Sequence, residues 1–237
     1  MKKIIVGVLL TGIVVSLTSS SYAAKNKVKT FVDLEMFSPM NVSDGSEADT
    51  KSGAQEFVDL GYGESVLYKI ETTAALGARV GVLFPVEDFG DIGVSIGYIA
   101  GPNSETKMTF NSTTIGNAVV NIDRKLTFTR VLGEFKKDIS INDNWSFKPG
   151  VGFGMAFGKS KETVASATGW AASMKGDSYA KSWNGVTWEV STAFTRKYNA
   201  VDLNLAVKYA GFPKLKENDN VSKIDWSTLG FSIGLGF

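Results

Sequence analysis

The chain has 237 residues, with 25 lysines and arginines, 24 acidic residues, no cysteine and no histidine. A formal charge of +1 provides no basic field for nucleic acid, so no DNA or RNA partner is expected. Without cysteine there is no disulfide or thiolate site, and without histidine the chain lacks the usual general base and the commonest zinc ligand. We therefore predict no cofactor and no metal site.

The N-terminus has the pattern of a secretory signal peptide. Lys2 and Lys3 precede an apolar run at residues 4–15, and a stretch of small and polar residues then ends at Ala23. The run is shorter than the roughly 20 apolar residues that a membrane-spanning helix needs, so we predict cleavage after Ala23. The mature chain, residues 24–237, is expected to form one domain.

Beyond the signal peptide, apolar residues recur at every second position, which is the period of a β-strand with two different faces. In the run 145–158 the odd positions are mostly large and apolar, whereas the even positions are small or carry a lysine. Each strand reaches the roughly 9 to 11 residues that cross a bilayer, except the third, which must continue past Tyr98. The eight predicted strands are, in chain order, residues 28–36, 70–84, 92–98, 120–139, 145–158, 186–194, 201–209 and 229–237.

The connections between these strands alternate in length. Short turns at residues 86–91, 141–144 and 198–200 alternate with long polar connections at 39–65, 101–119, 160–182 and 211–222. An even number of strands with short periplasmic turns and long outer loops is the layout of an outer-membrane barrel. The predicted fold is all-β, an eight-stranded antiparallel transmembrane up-and-down β-barrel with periplasmic termini and extracellular loops; ten strands remain an alternative.

Glycine, alanine and serine crowd one face of the strands and indicate the interior, because eight strands enclose only enough room for side chains. Most charged residues within the strands share the parity of these small residues. Inside the barrel opposite charges can pair, whereas toward lipid each would cost up to about 4 kcal/mol. The predicted interior charges are Asp33, Glu35, Glu71, Arg79, Arg130, Glu134, Lys148, Glu189, Asp202 and Lys208.

The fourth predicted strand contains a conflict of parity. Leu126 and Phe128 share a parity with the two charged residues of this strand, while Val131 and Phe135 have the opposite parity. A β-bulge would resolve the conflict. Without a bulge, inward charges bring Leu126 and Phe128 inward as well, and the sequence leaves this open.

Aromatic residues fall near the strand ends, where the girdles of a membrane barrel are expected. The predicted girdle residues are Phe84, Trp145, Tyr198 and Phe237 on the periplasmic side, and Tyr68, Tyr98, Phe157, Trp188 and Tyr209 on the outer side.

The last strand alternates glycine or serine with apolar residues and ends in Phe237. With the alternation before it, the chain resembles the small bacterial outer-membrane β-barrel families, the OmpX-like, OmpA-barrel and opacity-type surface proteins. The resemblance covers residues 27–237 as an architectural pattern and implies contact with outer-membrane lipid. It also implies that the barrel-assembly machinery reads an assembly signal formed by Phe231, Ile233, Leu235 and Phe237. Because the family holds scaffolds of differing roles, it indicates location rather than activity.

Two function classes stay open. The first is a non-catalytic surface protein that displays loops for adhesion, as a surface antigen or for envelope integrity, with a host or surface ligand as partner. The second is a narrow porin-like channel for small solutes. We favour the first, without enzyme activity, because eight strands imply a filled interior. Asp33 and Glu35 could form a carboxylate pair for catalysis, with an interior salt bridge as the alternative, and loop residues Trp170, Met174 and Tyr179 could contact a partner.

Overall fold

The computed structural model describes residues 28–39, 58–59, 65–87, 89–198, 201–217 and 221–237. The predicted signal peptide, residues 1–23, lies outside these ranges, as does most of the first long connection. Strands dominate the described ranges, and one 3₁₀ helix, Gly169–Met174, interrupts them. The strands are β1 Lys29–Pro39, β2 Ser65–Thr72, β3 Ala75–Val86, β4 Gly90–Ala100, β5 Ser104–Asn111, β6 Ala118–Lys136, β7 Ile139–Asn142, β8 Trp145–Ala167, β9 Ser178–Lys197, β10 Asp202–Glu217 and β11 Val221–Gly236.

Eight of these strands close into a ring in which every neighbouring pair is antiparallel. The order round the ring is β1, β3, β4, β6, β8, β9, β10, β11 and back to β1. The last strand closes the ring against the first, with Phe31 opposite Gly236 and Pro39 opposite Thr228. The prediction of an eight-stranded antiparallel barrel is therefore confirmed. The third predicted strand does continue past Tyr98, since β4 ends at Ala100.

The ring has two ends that differ in their connections. At one end β3 joins β4, β7 joins β8 and β9 joins β10 through a few residues each, and Thr30 and Phe237 exchange two backbone hydrogen bonds of 2.9 and 3.1 Å. We call this the turn end. At the other end, here called the loop end, β6 and β8 continue beyond the ring. Among the described residues, no helix is long and apolar enough to cross a membrane.

Each ring strand buries one face and exposes the other. In β4, Ser95 and Ile99 point into the ring, while Ile92, Val94 and Ile96 point outward with about half of their surface exposed. Alternating side chains on opposite faces are a direct consequence of strand geometry. The outward face of the other ring strands is similarly apolar and exposed, with Leu34, Met36, Val131, Val151, Phe153, Met155, Val186, Val190, Leu205, Val207, Phe231, Ile233 and Leu235 among its members. We call this surface the apolar belt.

The second predicted strand differs from the structure. The sequence predicts one strand over residues 70–84, but the chain leaves the ring at residues 73–74 and β2 pairs with β5 instead. Hydrogen bonds join the backbone of Thr73 to Asn103 (2.9 Å) and that of Asn103 to the Thr73 hydroxyl (3.1 Å), which holds the chain at this break. The large apolar residues on the two sides of the break, such as Ile70 and Leu76, share one parity, so parity alone did not reveal it.

The fourth predicted strand needs no bulge where the parity conflict lies. Leu126, Phe128, Arg130 and Glu134 are all buried, so one parity points inward throughout this part of β6. The register of β6 against β8 shifts further out, between residues 121 and 122. The apolar side chains that the sequence could not place are therefore inside the ring.

Beyond the ring, the loop end carries a small sheet of β2, β5 and the outer parts of β6, β8 and β9. The 3₁₀ helix folds over one face of this sheet, where Phe110 and Trp170 lie 5.4 Å apart between ring centroids. An apolar cluster forms there from Phe110, Ala118, Val120 and Ala171, with Met108, Ile122, Val164, Ala167, Trp170 and Met174 packed against it. We call this structure the outer extension.

Candidate functional site

Glycines on the inward face make room for the large side chains of the interior. A Cβ at Gly81 would lie 2.5 Å from the ring of Phe31, and a Cβ at Gly230 would lie 2.5 Å from that of Phe37. Gly234 leaves equally little space beside the carboxylate of Asp33. Small residues at these positions are thus required by the charged and aromatic groups that face them.

Arg130 forms the centre of a buried ion-pair layer. Its side chain is fully buried, and its two terminal nitrogens donate to Glu35 at 2.7 Å and to Glu189 at 2.8 Å. Three different strands, β1, β6 and β9, supply these groups. Because β6 is three strands from β1 and two strands from β9 round the ring, these contacts cross the interior of the barrel.

Arg79 on β3 makes a second set of contacts beside the first. It donates to Asp33 and to Glu189, each at 2.9 Å. The nitrogen that donates to Glu189 also lies 3.2 Å from Glu134, and Nε of Arg79 lies 3.3 Å from Glu35. Four carboxylates thus surround one guanidinium group, which offsets the desolvation of the charge.

Two lysines complete the layer. Lys208 on β10 donates to Glu35 at 2.6 Å and to Asp33 at 3.2 Å. Lys136 on β6 lies 2.7 Å from Glu134, which also accepts a hydrogen bond from the Ser95 hydroxyl. The layer therefore balances four carboxylates, on Asp33, Glu35, Glu134 and Glu189, with four cations, on Arg79, Arg130, Lys136 and Lys208.

An apolar layer closes the interior on the loop-end side of these charges. The guanidinium of Arg130 lies 5.2 Å from the ring centroid of Phe37 and 5.9 Å from that of Phe212, so the two layers are in contact. Phe128 packs against Phe212 and Trp183, with ring centroids 5.2 and 5.6 Å apart. The layer consists of Phe37, Ala75, Ile99, Leu126, Phe128, Ala210 and Phe212, with Trp183 packed on it.

A cavity of about 250 Å³, lined by several charged side chains as well as apolar ones, opens on the other side of the ion-pair layer, toward the turn end. Arg79 and Lys208 line its floor, and the ion pairs Lys29–Asp91 (2.7 Å) and Lys148–Asp202 (3.2 Å) lie in its walls. The cavity is large enough for several water molecules. It ends at the buried charges.

The structure brings seven of the ten predicted interior charges into the ion-pair layer. Lys148 and Asp202 lie closer to the turn end, in the wall of the cavity, and are only partly buried. Glu71 was predicted to point inward, and this is wrong. It belongs to β2, which leaves the ring, and its side chain is 63% exposed. There it pairs with Lys69, and the hydrogen bond from the Lys69 ammonium lowers the pKa of the Glu71 carboxyl.

Several members of the interior were not predicted from the sequence. Lys136, Ser95 and Asp91 have the inward parity of their strands, and Lys29 pairs with Asp91 at the mouth of the cavity. Parity would have found Lys136, because it follows Glu134 by two residues. The contacts of Asp33 and Glu35 with Arg79 and Lys208 also answer the question of a carboxylate pair: both groups are held in salt bridges.

Eight of the nine predicted girdle residues lie in the ring or next to its strands, and they differ in exposure; the ninth, Tyr68, lies outside the ring. At the turn end Phe84, Trp145, Tyr198 and Phe237 are exposed, and Arg196 lies 5.4 Å from the ring of Trp145 and 5.2 Å from that of Tyr198. Nearer the loop end Phe157, Trp188 and Tyr209 are exposed, Tyr98 is partly buried, and Trp188 contacts Tyr209. Tyr68 was predicted on the ring wall, but it belongs to β2 and therefore lies outside the ring.

The residues of the predicted assembly signal all point outward from β11. Phe231, Ile233, Leu235 and Phe237 have 40–50% of their surface exposed. In the third long connection Trp170 and Met174 pack into the outer extension, whereas Tyr179 is exposed. No group of three or more acidic side chains within the described ranges is arranged to hold a metal ion.

Comparison with known proteins finds similar barrels among solved structures but no relative by sequence. No family model and no curated protein matches the chain. Neisserial surface protein A is 9% identical with a TM-score of 0.41, and the match covers 88% of this chain and 95% of that one. The outer membrane protein OprG from Pseudomonas aeruginosa is 13% identical with a TM-score of 0.42, covering 90% and 97%.

The outer membrane protease OmpT from Escherichia coli is 7% identical with a TM-score of 0.42, covering 91% of this chain and 97% of that one. Likenesses of this size decide neither relationship nor activity. The strand order and the two faces of the ring are properties of this chain itself. By these, the chain has the architecture of the small bacterial outer-membrane β-barrels.

Proposed function

We propose that this protein is a non-catalytic outer-membrane barrel that displays its loop end outside the cell, for adhesion, as a surface antigen or for envelope integrity. The observation that carries the proposal is the closed interior. A buried ion-pair layer and an apolar layer lie one above the other across the ring, so the barrel serves as a rigid support. We propose that the outer extension is the described part that meets a partner; the first long connection, which the sequence predicts as an outer loop, lies mostly outside the described residues.

The apolar belt supports the position in a membrane. Side chains such as Leu205, Ile233 and Phe153 have half or more of their surface exposed, a pattern that water would penalise and lipid favours. The charged side chains of the ion-pair layer lie at the same level along the barrel as the belt, and they point into the ring, where they form ion pairs. In this orientation the turn end is periplasmic, the loop end is extracellular, and the lipid of the outer membrane is a partner of the whole belt.

Two observations support a protein without enzyme activity. The chain has no histidine, the residue on which acid–base chemistry most often depends. Asp33, Glu35 and Glu189 are buried and held by guanidinium or ammonium groups, so none of them is free to exchange a proton with a substrate.

The alternative, a narrow channel for small solutes, is favoured only by the cavity at the turn end. A solute entering there would meet the ion pairs of Arg79 and Lys208 and then the rings of Phe128 and Phe212. Both layers would have to rearrange for conduction. We expect the refolded residues 24–237 to show the heat-modifiable gel mobility of a folded barrel and no conductance steps in a planar bilayer. Steady, reproducible steps from a folded sample would overturn the display proposal in favour of the channel.

The route to the membrane is part of the proposal. Export would use residues 1–23 as a cleaved signal peptide, and the barrel-assembly machinery would then recognise the outward residues of β11. N-terminal sequencing of the outer-membrane form should begin at Ala24. A sequence that begins at Met1 would contradict the cleavage.

A further inference from the structure

Three lysines lie side by side on the outward face of the ring, just past the loop-end border of the apolar belt. On β8, Lys159 and Lys161 follow Phe157 on the same face, and all three side chains are exposed. On β6, Lys125 is the direct partner of Lys161 across the strands. Lys159 is opposite Thr127, so it lies diagonally beside Lys125. We call Lys125, Lys159 and Lys161 the basic rim.

The basic rim brings like charges together without an acid of the described residues to pair with them. Directly opposed like charges in an antiparallel pair destabilise a sheet, because the Cβ atoms are only about 5 Å apart. Glu162, which follows Lys161 on β8, points to the other face and pairs with Arg124 at 2.5 Å. Asp123 shares the face of Lys125 and lies diagonally beside Lys161, and Glu105 on β5 is its direct partner. Both acids lie one row further from the belt, and among the described contacts neither pairs with a lysine of the rim. The three lysines are therefore the charges of this face that lie nearest the belt, and the two acids lie on the side of the rim away from the belt.

The position of the rim beside the apolar belt indicates which anion it binds. Two residues along a strand advance about 6 to 7 Å, so the ammonium groups of Lys159 and Lys161 lie one and two steps beyond Phe157, whose ring belongs to the belt. Lysine stems pack along apolar surface while their ammonium groups reach the interface. In a bilayer, this is the depth at which lipid head groups begin. A soluble polyanion would have no contact with the belt, whereas a lipid contacts belt and rim at once.

We propose that the basic rim binds the phosphate groups of lipid in the outer leaflet, so that the barrel holds phosphate-bearing lipid at this side of its wall. The inference rests on the membrane position proposed above. Near a charged membrane surface each lysine contributes about 1 kcal/mol, which corresponds to a factor of about five in affinity. Three lysines then give a preference on the order of a hundredfold at low salt, and the preference decreases as salt screens the charges.

The test compares lipid retention by three forms of the refolded mature chain in neutral detergent. The forms are the wild type, the rim variant K125Q/K159Q/K161Q and a matched control, K69Q/K107Q/K175Q, which removes three exposed lysines of the loop end away from the belt. Native mass spectrometry measures the affinity for phosphatidic acid and for phosphatidylcholine. Heat-modifiable gel mobility first establishes that each form is a folded barrel.

We expect wild type and control to prefer phosphatidic acid strongly and the rim variant to lose most of that preference. The folded rim variant should also be at least as resistant to urea as the wild type, since the repulsion between Lys125 and Lys161 is gone. An unchanged preference in the folded rim variant, or an equal loss in the control, would overturn the inference while leaving the membrane barrel intact. Tighter binding to heparin than to phosphatidic acid micelles would also overturn it. If the wild type itself gives no folded, heat-modifiable form, the membrane position fails, and the inference fails with it.

Discussion

Arg130 is a full charge in the middle of the ring, and two carboxylates 2.7 and 2.8 Å away hold it there. Removal of one partner of a buried ion pair leaves an uncompensated charge, which destabilises a protein by about 3–5 kcal/mol. We therefore expect Arg130→Met to lower the free energy of unfolding by that amount, because Glu35 and Glu189 would each lose a partner. Urea titration of the refolded barrel in lipid vesicles, followed by tryptophan fluorescence, measures it.

Arg124→Met is the matched control on the same strand. Arg124 pairs with Glu162, but both side chains are about a quarter exposed, so water screens the pair. Pairs of this kind contribute up to about 1 kcal/mol. If the two variants lost equal stability, the ion-pair layer would not have the structural role assigned to it.

A second prediction at the residue scale concerns the space inside the ring. At Gly81 an added Cβ would lie 2.5 Å from the ring of Phe31, so Gly81→Ala forces that ring to shift. Overpacking of this kind destabilises by about 1–3 kcal/mol.

At Gly133, which points outward, a Cβ would lie 3.6 Å from the carbonyl oxygen of Phe153, an ordinary contact. The same urea titration should show Gly133→Ala within about 0.5 kcal/mol of the wild type. A Gly81→Ala barrel as stable as the wild type would contradict the tight packing.

At the scale of strands, β11 has two neighbours and closes the ring. Phe237, the residue that follows β11, exchanges backbone hydrogen bonds with Thr30 and has an exposed ring. We expect deletion of Phe237 to reduce the amount of barrel in the outer membrane severalfold. Processing at Ala23 should continue, because the signal peptide is unchanged. Immunoblots of membrane fractions and of the periplasm measure both steps.

Phe237→Trp is the control for that experiment, since it keeps an aromatic ring and the backbone hydrogen bonds. It should restore the wild-type level. Equal outer-membrane levels of the deleted and the full-length chain would show that the terminal aromatic is not needed for assembly.

The strands also show where pattern and structure diverge. The sequence predicted the eight ring strands, because alternating apolar residues repeat in each of them. It did not separate β2 from β3, since the large apolar residues before and after residues 73–74 share one parity, and the break is shown by the pairing of β2 with β5 and by the contact between Thr73 and Asn103. Glu71 was misplaced for this reason.

For the whole molecule, the orientation in the membrane can be tested with inserted epitopes. Gly176 lies in an exposed turn of the outer extension, where an added Cβ would meet no atom within 4 Å, and Asp143 lies in the exposed turn between β7 and β8. A short epitope after Gly176 should be labelled by antibody on intact cells. The same epitope after Asp143 should be labelled only when the outer membrane has been permeabilised. The reverse pattern would invert the proposed orientation.

The sequence by itself determined the fold class, the eight ring strands and the parity of seven charges in the ion-pair layer. The physical reason is that a strand places alternate residues on opposite faces. In a barrel with lipid outside, the residues of each strand therefore alternate between apolar side chains that face lipid and small or polar side chains that face the interior. Only the tertiary structure decided which charges meet. The contact of Arg130 with Glu35 and Glu189 joins residues 95 and 59 positions apart, and it depends on ring closure and strand stagger. The closure of the interior by Phe37, Phe128 and Phe212 became visible for the same reason, because neighbours across a barrel are set by geometry and not by spacing along the chain.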